Sequence, residues 1–333
     1  MSETGLSPTT AAAGTGGAAR AGGTPRIRPA DRDSARRTET RDAYLFVAPY
    51  LALFVVFVIT PIIYGVWISL HEYDYSLPDK PFVGLDNYTG LIGGSSPFAA
   101  LFWESMRATW LFTVLSVPLL LVIPLLVALV MNQRFRGRNA FRALYFAPYV
   151  LGVAVVAVLW RYLLDTNIGL VNHYLGLLGL PDTIPWLTQL PWGWASLVGV
   201  TVWWTLGFNA VIYLAALQEI SAELYEAAWV DGATAWQRFR NVTLPGLRPV
   251  LLFVTSVTII ASVNMFGQSF LMTAGGPGTA TRTAIYQIAD TGLTNFNSGA
   301  AAAMSMIFSF FLMLVSVVVF FAFRERDPSG GAR

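Results

Sequence analysis

Between two long apolar runs lies Glu226-Ala-Ala-Trp-Val-Asp-Gly232-Ala-Thr-Ala-Trp-Gln-Arg-Phe-Arg-Asn-Val-Thr-Leu244-Pro245, a polar segment with helical patterning. Ala227 and Ala228 are strong helix formers, and Glu223 and Glu226 sit towards the front of the segment, where the helix dipole favours carboxylates. Gly232 has the conformational freedom to end that helix. Thr234 with Gln237 three residues on has capping-box spacing for a second helix, and Leu244-Pro245 breaks the pattern before the next apolar run. The stretch predicts a helix-turn-helix lying at a membrane surface.

The flanking runs belong to a set of six, at 43–70, 108–131, 143–160, 194–217, 250–272 and 300–323. Each reaches or approaches the roughly 20 residues that cross about 30 Å of hydrocarbon. With 55% hydrophobic and 12% charged residues, the chain reads as an all-α integral membrane protein with six transmembrane helices. None of the six runs contains an ionisable side chain. The third is the shortest, and extends to Leu164 if Arg161 snorkels or faces protein. No internal repeat and no interrupted span is visible.

Arginine fixes the orientation. Seven arginines precede the first run, Arg134, Arg136, Arg138 and Arg142 separate runs two and three, Arg238, Arg240 and Arg248 separate four and five, and Arg324, Arg326 and Arg333 follow the sixth. Lys80, Arg107, Arg161 and Arg282 fall on the opposite side. The positive-inside rule then places both termini and the Glu226 loop in the cytoplasm. The expected organisation is a disordered cytoplasmic tail over 1–41, a six-helix membrane domain over 42–325 and a short cytoplasmic tail over 326–333. The first apolar run is too long for a signal peptide and is read as a retained anchor. The arginines of the tail are also available to anionic membrane lipid, although Asp31, Asp33, Glu39 and Asp42 dilute their field.

Several chemistries lack their residues. There is no cysteine, so neither disulfides nor thiolate sites are possible, and Lys80, the one lysine, follows no glycine-rich loop, so the chain has no phosphate-binding P-loop. His71 and His173 stand without a second ligand at metal spacing, and no nucleophile, base and orienting acid occur together. Neither an enzyme, a metal site nor a nucleic-acid partner is expected.

The apolar runs do carry hydroxyl, amide and aromatic groups. Trp203, Trp204 and Asn209 lie in the fourth, and Thr258, Ser262, Asn264, Met265, Gln268 and Ser269 in the fifth. Thr258, Ser262, Met265 and Ser269 follow i, i+4, i+7, i+11 spacing, with Asn264 and Gln268 on a neighbouring stripe. Such a face suits a neutral polyol, with amides and hydroxyls for its hydroxyl groups and flat rings for the apolar patches of a sugar. We take Trp204, Asn209, Ser262, Asn264, Met265 and Gln268 as candidate substrate-pathway residues. Helix packing competes for the same residues, above all for Thr258 and Ser269, and the tryptophans also suit interfacial anchors. The lack of mid-depth charge disfavours proton coupling and a phosphorylated substrate, whereas sodium coupling through backbone carbonyls stays open. Thr273-Ala-Gly-Gly-Pro277 reads as a tight, exposed turn on the outer side. Short interfacial helices are expected over 82–91 and 170–180.

Glu226-Ala-Ala with Gly232 and Leu244-Pro245 resembles the signature loop of permease subunits of ATP-binding-cassette importers. Phe82-Val-Gly-Leu-Asp-Asn-Tyr88, Phe141-Arg-Ala-Leu-Tyr-Phe-Ala-Pro-Tyr149, Leu206-Gly-Phe-Asn209 and Thr273-Ala-Gly-Gly-Pro277 resemble recurring segments of the carbohydrate-uptake branch, the maltose and lactose type, over residues 43 to 323. The resemblance implies a type I importer permease fold with a cytoplasmic coupling helix between helices four and five. Glu226, Ala227, Ala228, Asp231, Gly232, Leu244 and Pro245 would shape the contact with a separate ATPase. It also implies a second related permease, two copies of the ATPase that binds ATP, an extracytoplasmic sugar-binding protein and a place in the bacterial inner membrane, with no cofactor on this chain. The cargo it suggests is a neutral di- or oligosaccharide. A sodium-coupled or facilitative carrier and a non-transport assembly subunit are the alternatives.

Overall fold

The computed structural model of the chain describes residues 44–133 and 136–323. The tails expected at 1–41 and 326–333, and Arg134 of the inner arginine group, lie outside those residues. Among the described residues the fold is helical, and extended pairing is limited to two isolated bridges, His71 with Phe82 and Asp74 with Asn297.

The chain divides into two contact units at Pro61. Helix α1 (Tyr44–Ser69) runs through that point, and its apolar window, mean hydropathy 2.5, contains no buried residue. Within the first unit it makes a π-turn over Val55–Ile59, where the Thr60 hydroxyl donates to the Val55 carbonyl at 3.0 Å. The second unit holds α2 (Asp86–Gly93), α3 (Ala99–Asn132), α4 (Arg138–Val150), α5 (Val153–Leu163), α6 (Leu170–Leu177) and α7 (Trp192–Glu219). It continues through α8 (Ala222–Val230), α9 (Ala235–Gly246), α10 (Arg248–Val263), α11 (Ala284–Ala289) and α12 (Ser298–Phe323). Four helices, α1, α3, α7 and α12, are long and apolar enough to cross a membrane, and the number reaches six if the bent pairs α4 with α5 (99°) and α9 with α10 (69°) are each one span. The short helices α2 and α6 fall where sequence periodicity predicts them.

Two of the six apolar runs are interrupted, contrary to the sequence reading. The third consists of α4 and α5, bent by 99° at Leu151 and Gly152. Pro148 has no amide hydrogen to continue the ladder, Leu151 and Gly152 adopt extended backbone, and the indole Nε1 of Trp204 donates to the freed Leu151 carbonyl at 3.0 Å. The run over 250–272 is likewise broken: α10 ends at Val263, and helix resumes after Phe266 in a π-turn over Ser269–Thr273. The Thr283 hydroxyl donates to the Met265 carbonyl at 2.7 Å, satisfying one of the acceptors exposed by the break.

Close backbone approaches set the packing. A Cβ on Gly207 of α7 would meet the Tyr145 carbonyl and lie 2.6 Å from Phe146 Cα, so α4 rests directly on the α7 backbone. Gly267, just after the break, faces Val153, whose Cγ2 would lie 2.7 Å from an added Cβ. Three apolar clusters fill the interior. One joins α3, α5 and α7 around Phe112, Val156 and Leu197; a second joins α3, α11 and α12 around Phe102, Ala284 and Met304. The third gathers Met131, Tyr213, Leu217, Leu247 and Val254 at the roots of α7 and α10.

The Thr273–Pro277 segment is tight, as expected, but it is not an exposed turn. Ala274 and Gly275 take left-handed φ values of 50° and 79°, and Gly275 is buried. Ser269 Oγ donates to the Thr281 carbonyl at 2.6 Å, and Thr281 Oγ1 donates to the Gly276 carbonyl at 2.7 Å, folding the segment back on the end of its own span. Beyond it, the Arg282 guanidinium pairs with Asp290 at 3.1 Å and lies 4.7 Å from the Tyr286 ring centroid.

Candidate functional site

Both breaks open onto one cavity of about 610 Å³. Its lining comes from α3 (Phe112, Leu120), the α4–α5 elbow (Tyr149, Val153), α7 (Thr201, Trp204, Thr205, Phe208, Asn209) and the α10 break (Thr258, Ser262, Asn264, Met265, Gln268). All six residues singled out from sequence, Trp204, Asn209, Ser262, Asn264, Met265 and Gln268, line it. Ser269 does not, because its hydroxyl is spent on Thr281; for this residue packing prevails over the pathway. Trp203 turns away into the core, its ring 5.3 Å from that of Trp160.

The wall combines aromatic rings with scattered polar groups. On the α4–α7 side the Tyr149 ring stacks on Phe208 at 4.8 Å and 17°, with the Trp204 ring 6.4 Å from Tyr149. The rest of the lining is largely apolar, with Val257, Ala261, Met265, Phe266 and Leu271, but it carries amides and hydroxyls from both α7 and the α10 break, several of them also bridging helices. Asn209 Nδ2 donates to the Leu120 carbonyl at 3.2 Å, Ser116 Oγ donates to Ser262 Oγ at 3.3 Å, and Gln268 Nε2 donates to Thr201 Oγ1 at 3.4 Å. The last two lie near the long limit for a hydrogen bond, so a polyol hydroxyl can compete for these groups at little cost. Asn264 ends α10, is exposed, and donates through Nδ2 to the Ile260 carbonyl at 2.8 Å. No Asp, Glu, Lys, Arg or His is among the lining residues.

Sequence reading missed Thr201, Thr205, Tyr149, Phe208 and Val153. Thr201, Thr205 and Asn209 recur every four residues along α7, a signal that was available. Tyr149 and Val153 reach the cavity only because the third span bends.

The loop between α7 and α10 has the helix-turn-helix form its sequence predicts. Ser221 caps α8 by accepting from the Glu223 amide at 3.3 Å. Gly232 ends it with φ +75°, the left-handed region that favours glycine. Thr234 and Gln237 form a reciprocal capping box, with Gln237 N to Thr234 Oγ1 at 3.3 Å and Thr234 N to Gln237 Oε1 at 2.7 Å. Pro245 lies in the turn of helix after the π-turn over Phe239–Thr243. Glu226, Ala227, Asp231, Gly232, Leu244 and Pro245 are exposed, and Ala228 is half-buried. Trp229 and Trp236 are exposed by 71% and 66%, and with Val230, Leu224 and Leu244 they give the loop several exposed apolar side chains.

Residues 108–327 match the family of binding-protein-dependent transport system inner membrane components. The trehalose/maltose transport system permease protein of Thermococcus litoralis is 35% identical over 282 residues, covering 85% of this chain and 93% of that one. The lactose transport system permease protein of Rhizobium radiobacter is 32% identical over 304 residues, covering 89% and 98%. Among solved structures, a bacterial alginate transporter in complex with its pentasaccharide-bound periplasmic protein aligns with a TM-score of 0.74 at 25% identity, over 86% of this chain and 96% of that one.

Proposed function

The chain belongs to the family of binding-protein-dependent transport system inner membrane components, and from that membership and its cavity we propose that it carries an uncharged di- or oligosaccharide through the membrane as one half of an ATP-driven import path. It is a multi-pass inner membrane permease and not itself an enzyme. The supporting observation is the mixed, uncharged lining: the rings of Tyr149, Trp204 and Phe208 share one cavity with amides and hydroxyls from α7 and the α10 break, the two kinds of group that a sugar ring and its hydroxyls require. An anionic cargo such as alginate or a sugar phosphate would leave its charge without a counter-charge in this lining, a costly burial.

The exposed loop over Ser221–Pro245 docks on a separate ATPase, with Glu226, Ala227, Ala228, Asp231, Gly232, Leu244 and Pro245 shaping the contact and ATP held on that partner. The arginine distribution supports a cytoplasmic loop and cytoplasmic termini. A second, related permease supplies the other half of the path, the ATPase is present twice, and a sugar-binding protein delivers cargo from outside; the alginate transporter is likewise in complex with a pentasaccharide-bound periplasmic protein. Movement of the ATPases carries the loop, and α7 and α10 with it, as a rigid body.

The experiment is affinity isolation of the tagged chain from its native membrane in mild detergent, with mass identification of stoichiometric partners. A P-loop ATPase and a second permease are expected. Recovery of the chain alone, with nucleotide-independent sugar flux in vesicles, would refute the proposal in favour of a carrier.

A further inference from the structure

A coupling loop transmits displacement only if it is braced, and α8 has a potential hinge at each end. It joins α7 through extended backbone at Ile220 and Ser221, and joins α9 through the turn at Gly232. Across this arch the Tyr225 hydroxyl meets Thr243 Oγ1 at 2.9 Å, eighteen residues away. Tyr225 is half-buried on an otherwise mostly exposed helix, and Thr243 is 4% exposed.

Thr243 is itself anchored inward. The Leu247 amide donates to its carbonyl at 2.9 Å, and Leu247 is fully buried in the cluster that holds Tyr213, Leu217 and Val254, the roots of α7 and α10. Ile220 packs against the same cluster, and a Cβ on Gly246 would lie 2.9 Å from Ile220 Cδ1, so the two feet of the arch are in contact. Thr243 also closes the π-turn over Phe239–Thr243. One extra residue in the turn rotates the downstream helix by about 100° relative to an uninterrupted α-helix.

We propose that the Tyr225–Thr243 hydrogen bond is a strut that makes α8 move as one body with α7 and α10, so that Tyr225 and Thr243 are positioning residues for coupling. The inference rests on the coupling role proposed above for the loop. Without the strut, α8 tilts on its hinges when pushed, and the push dissipates before it reaches the cavity.

The test uses the intact complex with its native partners and needs no knowledge of the sugar. The chain has no cysteine, so Ala261→Cys places a single thiol in this subunit on the cavity lining. Its labelling rate with fluorescein maleimide is compared between the nucleotide-free complex and the complex trapped with ATP and orthovanadate. Trapping is expected to change the rate. Tyr225→Phe and Thr243→Val should each shrink that change by about two- to tenfold, the range for loss of one hydrogen bond. Thr243→Ser, which keeps the hydroxyl, should restore it, and the ATPase should stay bound and trapped throughout.

A full change in Tyr225→Phe and Thr243→Val overturns the strut, and so does loss of the ATPase from these variants, which would make the hydroxyl a docking group. If these variants are silent while Gly232→Asp abolishes the change, the strut fails and the coupling loop stands. If trapping changes nothing in the unmutated loop, or Gly232→Asp is silent too, the coupling reading falls and the strut falls with it.

Discussion

Replacing Gly207 by alanine tests whether the cavity depends on the direct contact between α4 and α7. The added Cβ would lie 2.6 Å from Phe146 Cα and against the Tyr145 carbonyl, both backbone atoms that no rotamer change removes. Carbon atoms in contact sit about 3.5–4.0 Å apart, so α4 must retreat by about 1 Å. Overpacking of this kind costs about 1–3 kcal/mol. At about 2 °C per kcal/mol for a chain of this size, the melting temperature in detergent should fall by roughly 2–6 °C. The same retreat pulls Tyr149 from Phe208, now stacked at 4.8 Å, so sugar uptake should fall more than stability alone explains. Gly199→Ala is the control: it lies in the same helix with nothing within 4 Å of the added Cβ, and should gain up to about 1 kcal/mol from helix propensity. The assay is size-exclusion chromatography of heated samples of both variants. Gly207→Ala melting with or above Gly199→Ala would refute the packing argument.

Gly232→Asp places a side chain at φ +75°, costing about 1–2 kcal/mol, and adds a charge to the loop; folded protein should persist in the membrane while ATP-dependent uptake is lost, as immunoblot and transport assays on the same vesicles would show. Ser262→Leu with Gln268→Leu should lower sugar uptake by about tenfold or more through lost polar contacts while partner subunits still co-purify; loss of co-purification would identify these residues as packing groups. The Tyr213 hydroxyl is buried without a hydrogen-bond partner among the described residues, so Tyr213→Phe should be neutral or stabilise by up to about 1–3 kcal/mol in the same melting assay; a drop would reveal a partner such as a buried water. The Asp165 carboxyl, just past the C-terminus of α5, is held below its ordinary range by the Ile168 amide and then the Asn167 amide. Because the folded value is depressed, the turn's stabilisation is present above the ordinary carboxylate pKa and is lost only as pH falls through the lower value; hydrogen exchange at these two amides should therefore stay slow at a pH where a free aspartate is already half protonated.

Much of this was readable from residues alone because hydrophobic length and helix-stop chemistry are local. The apolar runs, the Gly232 turn and the Thr234–Gln237 box all depend on neighbours within a few positions. The bends were not readable, and proline shows why. Pro118 and Pro124 sit inside α3 without ending it, whereas Pro148 precedes a 99° elbow. The difference lies in tertiary partners, since at the elbow Trp204, 53 residues away, takes up the freed Leu151 carbonyl. The break in α10 had the same blind spot: a face drawn on an unbroken helix included Ser269, which the restart directs to Thr281 instead. α11 was missed because six residues are too few to show a period, and its place is set by the Ala284 amide donating to Thr109 Oγ1 on α3 at 2.9 Å.

An uncharged cavity also has an electrical consequence. Moving one elementary charge through the membrane field changes its energy by about 2.3 kcal/mol per 100 mV, so any charged group that changed sides during the cycle would tie turnover to the membrane potential. The neutral sugar proposed as cargo would cross the field past this lining without doing electrical work, leaving nucleotide supply to set the pace. Vesicles clamped at zero and at strongly negative potential should then import at the same rate, and a cell whose membrane has been depolarised would keep this route for carbon uptake as long as ATP lasts.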